Sequence, residues 1–274
     1  MILLNGEKIT DGSFAQPPHK GGVLSYFPDH TSHIRIANCD PSCVHIIRWH
    51  YQCDAEMAVV YFITQHLHSY GCTVTLELPY IPNARMDRSP DQHEVFTLKH
   101  FAKFINDLHF QQVVVLDPHS SVSDALFERL VHISPVEFIE KTVRDLNLNN
   151  LIAFYPDEGS MKRYSGMIKM PYAFGIKKRD WQTGEIKSYD IVQESVVHGS
   201  HVLIIDDICS AGGTFYHAAN ALRTAGAKSI FLHVTHCESL ACKHKLLDSG
   251  LIQHIYTTNS IFSDADPAFT VWEV

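Results

Sequence analysis

Two adjacent carboxylates and a loop of small residues form the stretch whose chemistry is clearest. An aliphatic run, 202–205, leads into Asp206 and Asp207, and Ser210-Ala-Gly-Gly-Thr214 follows. Carboxylates at a strand end can accept hydrogen bonds from vicinal sugar hydroxyls, and small residues before a helix let backbone N–H groups approach a phosphate. The stretch therefore predicts a ribose-phosphate site. A strand, a turn and a helix cap would explain Asp207 and Thr214 but not the whole pattern.

Charged side chains also follow three other apolar runs of the chain, and these residues are Arg85, Asp87, Arg88, His119 and Asp157. The carboxyl ends of parallel strands share one edge of a sheet, and open α/β proteins bind ligands at that edge. These residues are therefore candidates for ligand binding. For the first three, a solvated loop with a weak local ion pair is the structural alternative.

The elements that must position these residues alternate along the chain. Short β-rich runs are predicted to be strands at 44–49, 73–78, 113–116, 151–155, 202–205, 229–236 and 254–257. Amphipathic segments between them predict helices at 55–69, 94–107, 135–146, 214–225 and 239–249. This alternation is typical of parallel sheets flanked by helices, so the predicted class is α/β. The charged segment 177–190, centred on a Thr-Gly turn, predicts a mobile hairpin or flap.

A polar pause at 147–150 predicts a domain boundary. We expect one domain over residues 1–148 and a second over 149–274, since 274 residues suit one large domain or two ordinary ones. Both predicted halves contain strands that end in polar loops. The ligand-binding residues of each half are therefore expected at the carboxyl ends of its strands.

Composition limits the classes of partner. The net charge of −8 with neutral histidines provides no overall basic field for nucleic acid or an anionic membrane. The apolar runs are too short to cross a bilayer, so we expect a soluble, cytoplasmic protein. Any anionic substrate must then be bound by a local group of cations or by a metal ion.

Seven scattered cysteines without a Cys-x-x-Cys pair indicate reduced thiols rather than a disulfide framework. Cysteines and histidines are crowded between Cys39 and Cys53. The strand predicted within that segment points alternate side chains to opposite faces, which disfavours four convergent zinc ligands. Ordinary packing is the favoured interpretation of these residues.

Residues 206–214 resemble the phosphoribosyl-pyrophosphate loop that type I phosphoribosyltransferases share with ribose-phosphate pyrophosphokinases. The loop alone does not distinguish the two groups. Leu78-Pro-Tyr-Ile-Pro-Asn-Ala-Arg-Met-Asp-Arg88 resembles a pyrophosphokinase segment that simple phosphoribosyltransferases lack. The chain is therefore identified as resembling a divergent pyrophosphokinase. The resemblance implies two similar phosphoribosyltransferase-like domains, the first on the ATP side, and a flexible catalytic hairpin in the second.

The resemblance also implies residue roles. ATP binding is implied for Phe27, Asp29, Arg85, Asp87 and Arg88, and a Mg²⁺ site for His119 and Asp157. Asp157 is the more natural ligand for a hard cation, and His119 can act at the edge of the site or through water. Catalysis on a closing loop is implied for Lys177 and Arg179. Ribose-phosphate binding is implied for Asp206, Asp207, Ser210, Ala211, Gly212, Gly213 and Thr214.

The activity that the resemblance implies is Mg²⁺-dependent transfer of the β,γ-pyrophosphate of ATP to the anomeric hydroxyl of ribose 5-phosphate, releasing AMP, in a homo-oligomer. The chain departs from the family at Thr31, Met86, Ile176 and Ser210. Three alternatives therefore stay open. The acceptor could be a larger ribose-5-phosphate compound such as ADP-ribose in NAD metabolism, or the chain could be an inactive regulatory relative or a simple phosphoribosyltransferase.

Overall fold

The computed structural model describes residues 1–11, 21–89, 91–179 and 186–274. Backbone contacts divide the chain into two compact units, Met1–Ile133 and Ser134–Val274. The sequence placed this boundary at 148/149. The structure instead assigns the helix at Val136–Leu146 to the second unit, because its Ile139 packs in one apolar cluster with Ala153 and Leu203.

The first unit is a mainly parallel sheet flanked by helices. Its strands are β1 (Ile2–Leu4), β2 (Glu7–Asp11), β3 (Gly22–Tyr26), β4 (Ser32–Ile36), β5 (Val44–Trp49), β6 (Thr73–Glu77), β7 (Val113–Leu116) and β8 (Leu130–Ile133). Its helices are α1 (Glu56–Ser69), α2 (Thr97–Asp107) and α3 (Val122–Leu126). The strand order is β4-β3-β2-β1-β5-β6-β7-β8, with β5 to β8 parallel to one another.

The second unit has the same kind of architecture. Its helices are α4 (Val136–Leu146), α5 (Glu158–Tyr164), α6 (Gly213–Thr224) and α7 (Lys243–Leu246). Its strands are β9 (Leu151–Tyr155), β10 (Tyr172–Arg179), β11 (Ile186–Val192), β12 (His201–Cys209), β13 (Ser229–Cys237), β14 (Ile255–Thr258) and β15 (Phe269–Trp272). The order is β11-β10-β9-β12-β13-β14-β15, and β11 is antiparallel to its neighbour.

The central strand β12 is buried on both faces. Val202 and Ile204 belong to the apolar cluster on one side of the sheet, and Leu203 and Ile205 to the cluster on the other. A strand covered on both faces appears in the sequence as a continuous aliphatic run, which is typical of parallel sheets. The structure therefore confirms the predicted α/β class, with two mainly parallel sheets flanked by helices.

The helix predicted at 239–249 is shorter and less regular in the structure. A 3-10 turn at Leu240–Cys242 precedes α7. At the start of this segment, the Ser239 carbonyl oxygen accepts hydrogen bonds from the thiols of Cys237 and Cys242. All seven cysteines are free, as the sequence predicted. Among the described residues, no helix combines the length and apolarity needed to cross a bilayer.

Candidate active site

Asp206 and Asp207 lie within the last part of β12. Pairing with β13 continues as far as Cys209 and Cys237, so the strand carries both carboxylates to its carboxyl end. The prediction that this strand ends at Ile205 is wrong, because main-chain pairing does not depend on side-chain polarity. The two carboxyl groups interact at this end of the strand, since Asp207 raises the pKa of Asp206.

Asp207 is almost fully buried and is paired with a cation from α5. Nη1 of Arg163 donates to its Oδ2 at 3.1 Å, and the backbone N–H of Ile208 donates to its Oδ1 at 2.8 Å. The Asp207 side chain is 7% exposed and that of Arg163 is 25% exposed. Partial burial strengthens this ion pair relative to one on an open surface. Arg163 therefore compensates the charge of one member of the carboxylate pair.

Asp206 experiences the opposite electrostatic environment. Burial raises the pKa of its carboxyl group well above its ordinary value, and the charges of Asp207 and Asp157 raise it further. The residue as a whole is half-buried. Three carboxyl groups therefore interact near the end of β12, an arrangement that favours binding of hydroxyl donors or a cation.

Asp157 follows the end of β9 and is the N-cap of α5. Its Oδ1 accepts from the backbone N–H of Ser160 at 3.0 Å, and the backbone N–H of Asp157 donates to Ser160 Oγ at 3.3 Å. This capping box orients the carboxylate. The oriented oxygen atoms are hard donors of the type that Mg²⁺ prefers.

The small-residue loop, residues 210–214, passes directly from β12 into α6. Gly212 caps the helix in the left-handed conformation with φ 75°, and a Cβ there would lie 3.0 Å from carbons of Leu246. A Cβ at Gly213 would meet no atom within 4 Å. The backbone at Gly213 therefore faces open space at the N-terminal end of a helix, where N–H groups and the helix dipole attract anions.

The predicted flap is a β-hairpin built from β10 and β11. The strands pair antiparallel, with Lys177 opposite Tyr189 and a register shift between Lys178 and Arg179. Lys177 and Arg179 thus belong to β10 itself. The hairpin tip, residues 180–185, lies outside the described residues.

Tyr189 anchors the base of this hairpin. Its hydroxyl donates to the carbonyl oxygen of Pro156 at 2.7 Å, beside Asp157. A Cβ at Gly175 would overlap the Tyr189 hydroxyl, so glycine is required where the ring crosses β10. Burial raises the pKa of Tyr189, as do the charges of Asp157 and Asp206. The phenol therefore stays protonated and donates its hydrogen bond.

Strand register places these candidates at one edge of the second sheet. Phe174 of β10 pairs with Tyr155, the last residue of β9, and Ile204 of β12 pairs with Phe154. Lys177 and Asp206 therefore both lie beyond the end of β9, as does Asp157. Only β9 separates β10 from β12, a spacing of about 10 Å between their backbones. The cationic hairpin and the carboxylates thus share one edge.

In the first unit, Phe27 and Asp29 form the turn between β3 and β4. Asp29 Oδ1 accepts from the backbone N–H of Thr31 at 3.0 Å and from its hydroxyl at 2.7 Å. These bonds lower the pKa of Asp29. The Phe27 ring is half exposed and stacks on His33 at 5.0 Å between centroids. Asp29 therefore stabilises its own turn, and the exposed ring of Phe27 remains a candidate nucleotide contact.

Arg85, Asp87 and Arg88 lie in the loop that follows β6. Ile81 and Ala84 are buried in the core of the unit and hold the start of this loop. Arg85 and Arg88 are exposed, while Asp87 is half-buried. In the strand order, β5, β1 and β2 separate β6 from β3. The two arginines therefore lie on one loop, and the Phe27 turn lies elsewhere on the sheet.

His119 follows β7, the parallel neighbour of β6, and is half-buried. Asp117 beside it is buried and has a positive φ of 43°. A left-handed backbone at a residue other than glycine is uncommon and often accompanies function. His119 lies in the first unit and Asp157 in the second. Their common role at a metal site stays a prediction.

Two residues of the site were not found from the sequence. Arg163 pairs with Asp207, and Tyr189 holds the hairpin base against the end of β9. The sequence contains only a weak indication of a functional role for either residue. Arg163 lies on a short polar segment after Asp157, and Gly175 marks the close approach of Tyr189 only once the pairing of β10 and β11 is known.

Comparison with known proteins agrees with this architecture. The phosphoribosyl transferase domain family matches residues 161–249. The crystal structure of phosphoribosylpyrophosphate synthetase from Mycobacterium smegmatis superimposes with a TM-score of 0.78 at 19% identity, covering 93% of this chain and 86% of that one. The family match lies within the second unit, and the fold of the chain is that of the synthetase.

Sequence comparison finds relatives that match most of the chain. The ribose-phosphate pyrophosphokinase of Saccharolobus solfataricus is 26% identical over 250 residues, which is 88% of this chain and 84% of the relative. That of Staphylococcus aureus is 29% identical over 203 residues, 72% of this chain and 62% of the relative. The chain is therefore similar to ribose-phosphate pyrophosphokinases over most of its length.

Proposed function

We propose that this protein transfers the β,γ-pyrophosphate of ATP to the anomeric hydroxyl of ribose 5-phosphate, producing phosphoribosyl pyrophosphate and AMP. The observation that carries the proposal is the junction of β12, the small-residue loop and α6. It combines Asp206 and Asp207 with a glycine backbone that is open at a helix N-terminus. The similarity to ribose-phosphate pyrophosphokinases supports the same reaction.

The junction suits a ribose 5-phosphate in two parts. Asp206 and Asp207 accept hydrogen bonds from the ribose hydroxyls, and the N–H groups of residues 210–214 bind the 5-phosphate. Arg163 orients the Asp207 carboxyl group for this task through its hydrogen bond to Oδ2. Binding both ends of the acceptor holds the anomeric oxygen in place for attack, which removes a large entropic part of the barrier.

The carboxylates also fit a divalent cation. The pKa of Asp206 is raised in part by the charges of Asp207 and Asp157, and a cation would relieve that repulsion. Asp157 would hold Mg²⁺ directly, with His119 assigned to the same site by family resemblance. When bound, Mg²⁺ neutralises charge on the transferring phosphates.

Lys177 and Arg179 supply the cations of the proposed catalytic hairpin. In pyrophosphate transfer, negative charge shifts toward the leaving AMP oxygen, and fixed cations stabilise that charge. Lys177 lies on β10 beyond the end of β9, at the edge that carries Asp206. Arg85 and Arg88, exposed on the first unit, are proposed to contact ATP.

The test is incubation of the full chain with ATP and Mg²⁺ and, in separate arms, ribose 5-phosphate or ADP-ribose. AMP and the pyrophosphorylated acceptor are measured by chromatography with mass detection. Both acceptors present a ribose with a free anomeric hydroxyl. The same transfer reaction is therefore possible with either one, and comparison of the two arms identifies the acceptor. A third arm with phosphoribosyl pyrophosphate and free purine bases tests for simple phosphoribosyl transfer.

Formation of AMP together with phosphoribosyl pyrophosphate supports the proposal. If product forms only from ADP-ribose, the proposed pyrophosphate transfer is supported, but the acceptor is ADP-ribose instead of ribose 5-phosphate. Binding of ribose 5-phosphate by calorimetry without any turnover would instead indicate an inactive regulatory relative, and would overturn the proposed activity.

A further inference from the structure

Three buried thiols converge beside the small-residue loop. The ligand atoms of Cys209, Cys237 and Cys242 all lie within 4.8 Å of one another, and all three side chains are buried. Cys209 ends β12, Cys237 ends β13, and Cys242 ends the 3-10 turn that follows. Because Cys209 pairs directly with Cys237, the sheet brings together residues that are distant in sequence.

We propose that Cys209, Cys237 and Cys242 bind one thiophilic cation with a filled d shell, Zn²⁺ or Cu⁺. Soft thiolate ligands select such ions over Mg²⁺, which takes oxygen donors. The site is therefore chemically distinct from the carboxylate site. It lies at the ends of β12 and β13, directly before the loop that is proposed to bind phosphate.

The separation of the sulfur atoms fits ligands of a single ion. The sulfurs of Cys237 and Cys242 are 3.9 Å apart. Thiolates at about 2.3 Å from a tetrahedral zinc ion are separated by about 3.8 Å. The same spacing also suits three thiolates around a three-coordinate Cu⁺ ion. These two cysteines therefore need little rearrangement to share an ion.

An oxygen donor lies near the position where zinc needs its fourth ligand. The Ser239 carbonyl oxygen is 3.5 Å from the sulfur of Cys237 and 3.7 Å from that of Cys242. Oxygen and sulfur ligands of one tetrahedral zinc ion are separated by about 3.6 Å. The turn at Leu240–Cys242 thus directs both a thiol and a carbonyl oxygen toward the same point.

Shared hydrogen bonds leave the three thiols with unequal acidity. Hydrogen bonds from Cys209 and Cys237 lower the pKa of Cys242 to about 4, whereas the pKa values of Cys209 and Cys237 are raised. As each sulfur–metal bond forms, any proton still on that sulfur leaves for solvent, and no electron is transferred. The cation compensates the thiolate charges, which are costly to bury alone.

An ion at this position would link the small-residue loop to the segment beneath it. Cys209 directly precedes Ser210, and a Cβ at Gly212 would lie 3.2 Å from Cys242 Cβ. Metal binding would therefore join β12, β13 and the turn under Gly212. We expect it to raise the thermal midpoint of the full chain.

The test uses the full chain, reduced, treated with a chelator and transferred to metal-free buffer. Zn²⁺ or Cu⁺ is added in separate arms, unbound ion is removed, and bound metal is counted by mass spectrometry. A third arm with Co²⁺ follows the sulfur-to-cobalt charge-transfer absorption, which requires thiolate ligation. We expect about one ion per chain, and an affinity at least ~100-fold lower in Cys209→Ser, Cys237→Ser and Cys242→Ser.

Cys72→Ser is the matched control, because Cys72 is also a buried free cysteine but lies in the first unit. It should bind metal like the wild type. Retention of the same ion by all three site variants would overturn the proposal, as would absence of the charge-transfer absorption in the wild type. The absorption measurement uses only the wild type, so it tests the proposal even if a substitution prevents folding. A Cys237–Cys242 disulfide in freshly isolated, metal-free protein would also overturn it.

Discussion

Arg163 Nη1 donates to Asp207 Oδ2 across 3.1 Å, so a helix that follows β9 supplies the counter-charge for a carboxylate on β12. This pair joins two segments separated by 44 residues in sequence. It leaves Asp206, the other carboxylate, in an environment that raises its pKa. The two adjacent aspartates therefore have different electrostatic properties, and different consequences follow for their substitution.

Arg163→Gln should lower the free energy of unfolding by about 1–3 kcal/mol, because it removes a charge-assisted hydrogen bond to the buried Asp207 carboxylate. Urea unfolding at neutral pH measures the change. Lys162→Gln is the control, since Lys162 is exposed and pairs only loosely with Glu158 at 3.8 Å. A double-mutant cycle with Asp207→Asn isolates the pair. Coupling near zero would show that the contact contributes no stability.

Asp206→Asn should stabilise the folded chain at neutral pH and weaken binding of ribose 5-phosphate. The carboxyl group is disfavoured in its charged form by burial and by Asp207 and Asp157, so an uncharged amide of the same shape removes that cost. Thermal unfolding and calorimetric titration measure the two effects. Reduced stability in this variant would contradict the electrostatic account of the site.

Gly212→Ala and Gly213→Ala should differ although they are neighbours. At Gly212 the positive φ and the contact with Leu246 predict a loss of about 1–2 kcal/mol or more. At Gly213 a methyl group meets no atom within 4 Å, so folding should be unaffected. We expect weaker phosphate binding in Gly213→Ala, because the methyl group occupies the open side of the helix end. Equal melting temperatures for the two variants would show that Gly212 carries no conformational requirement.

Lys177→Ala should lower kcat by at least ~100-fold while ribose 5-phosphate binding stays near that of the wild type. Lys178→Ala is the matched control, because Lys178 is the adjacent cationic residue of the same strand. Steady-state kinetics and calorimetry separate turnover from binding. Unchanged turnover in Lys177→Ala would remove this residue from the mechanism.

His233 should make the stability of the protein fall as the solution becomes acidic. Its ring is fully buried between α4 and β13, with Nδ1 bonded to Thr142 Oγ1 at 2.8 Å, and burial lowers the pKa of His233 to about 3. The unfolded chain takes up a proton near pH 6.5, whereas the folded chain does not. His233 therefore contributes stability above pH 6.5 that is progressively lost as the pH falls toward 3.

Between pH 7.5 and pH 4 we expect this one group to reduce the free energy of unfolding by roughly 2–4 kcal/mol. Urea unfolding across that range, compared with His233→Gln, measures its share. The variant should show a flatter pH dependence even if its stability at neutral pH is lower. If the free energy of unfolding changes equally with pH in the two proteins, His233 is not the source of the pH dependence.

The sequence was most informative about features that depend on residues adjacent in the chain. The strands β7 and β9 begin and end where their aliphatic runs predicted, because a strand buried on both faces needs continuous apolar residues. The strand β5 also has the predicted bounds, although exposed and buried residues alternate along its first half. The strands β1 to β4 were not predicted. They are short and only partly buried, so their residues lack a clear periodic pattern.

Residue types and order along the chain by themselves determined the α/β class, the carboxylate pair, the small-residue loop and the family resemblance. Each of these depends on neighbours in sequence. Only the tertiary structure decided which charges are paired, since Arg163 reaches Asp207 across strands, and which thiols converge, since pairing of β12 with β13 places Cys209 beside Cys237. Such contacts arise from the order of strands in a sheet, and local sequence does not specify that order.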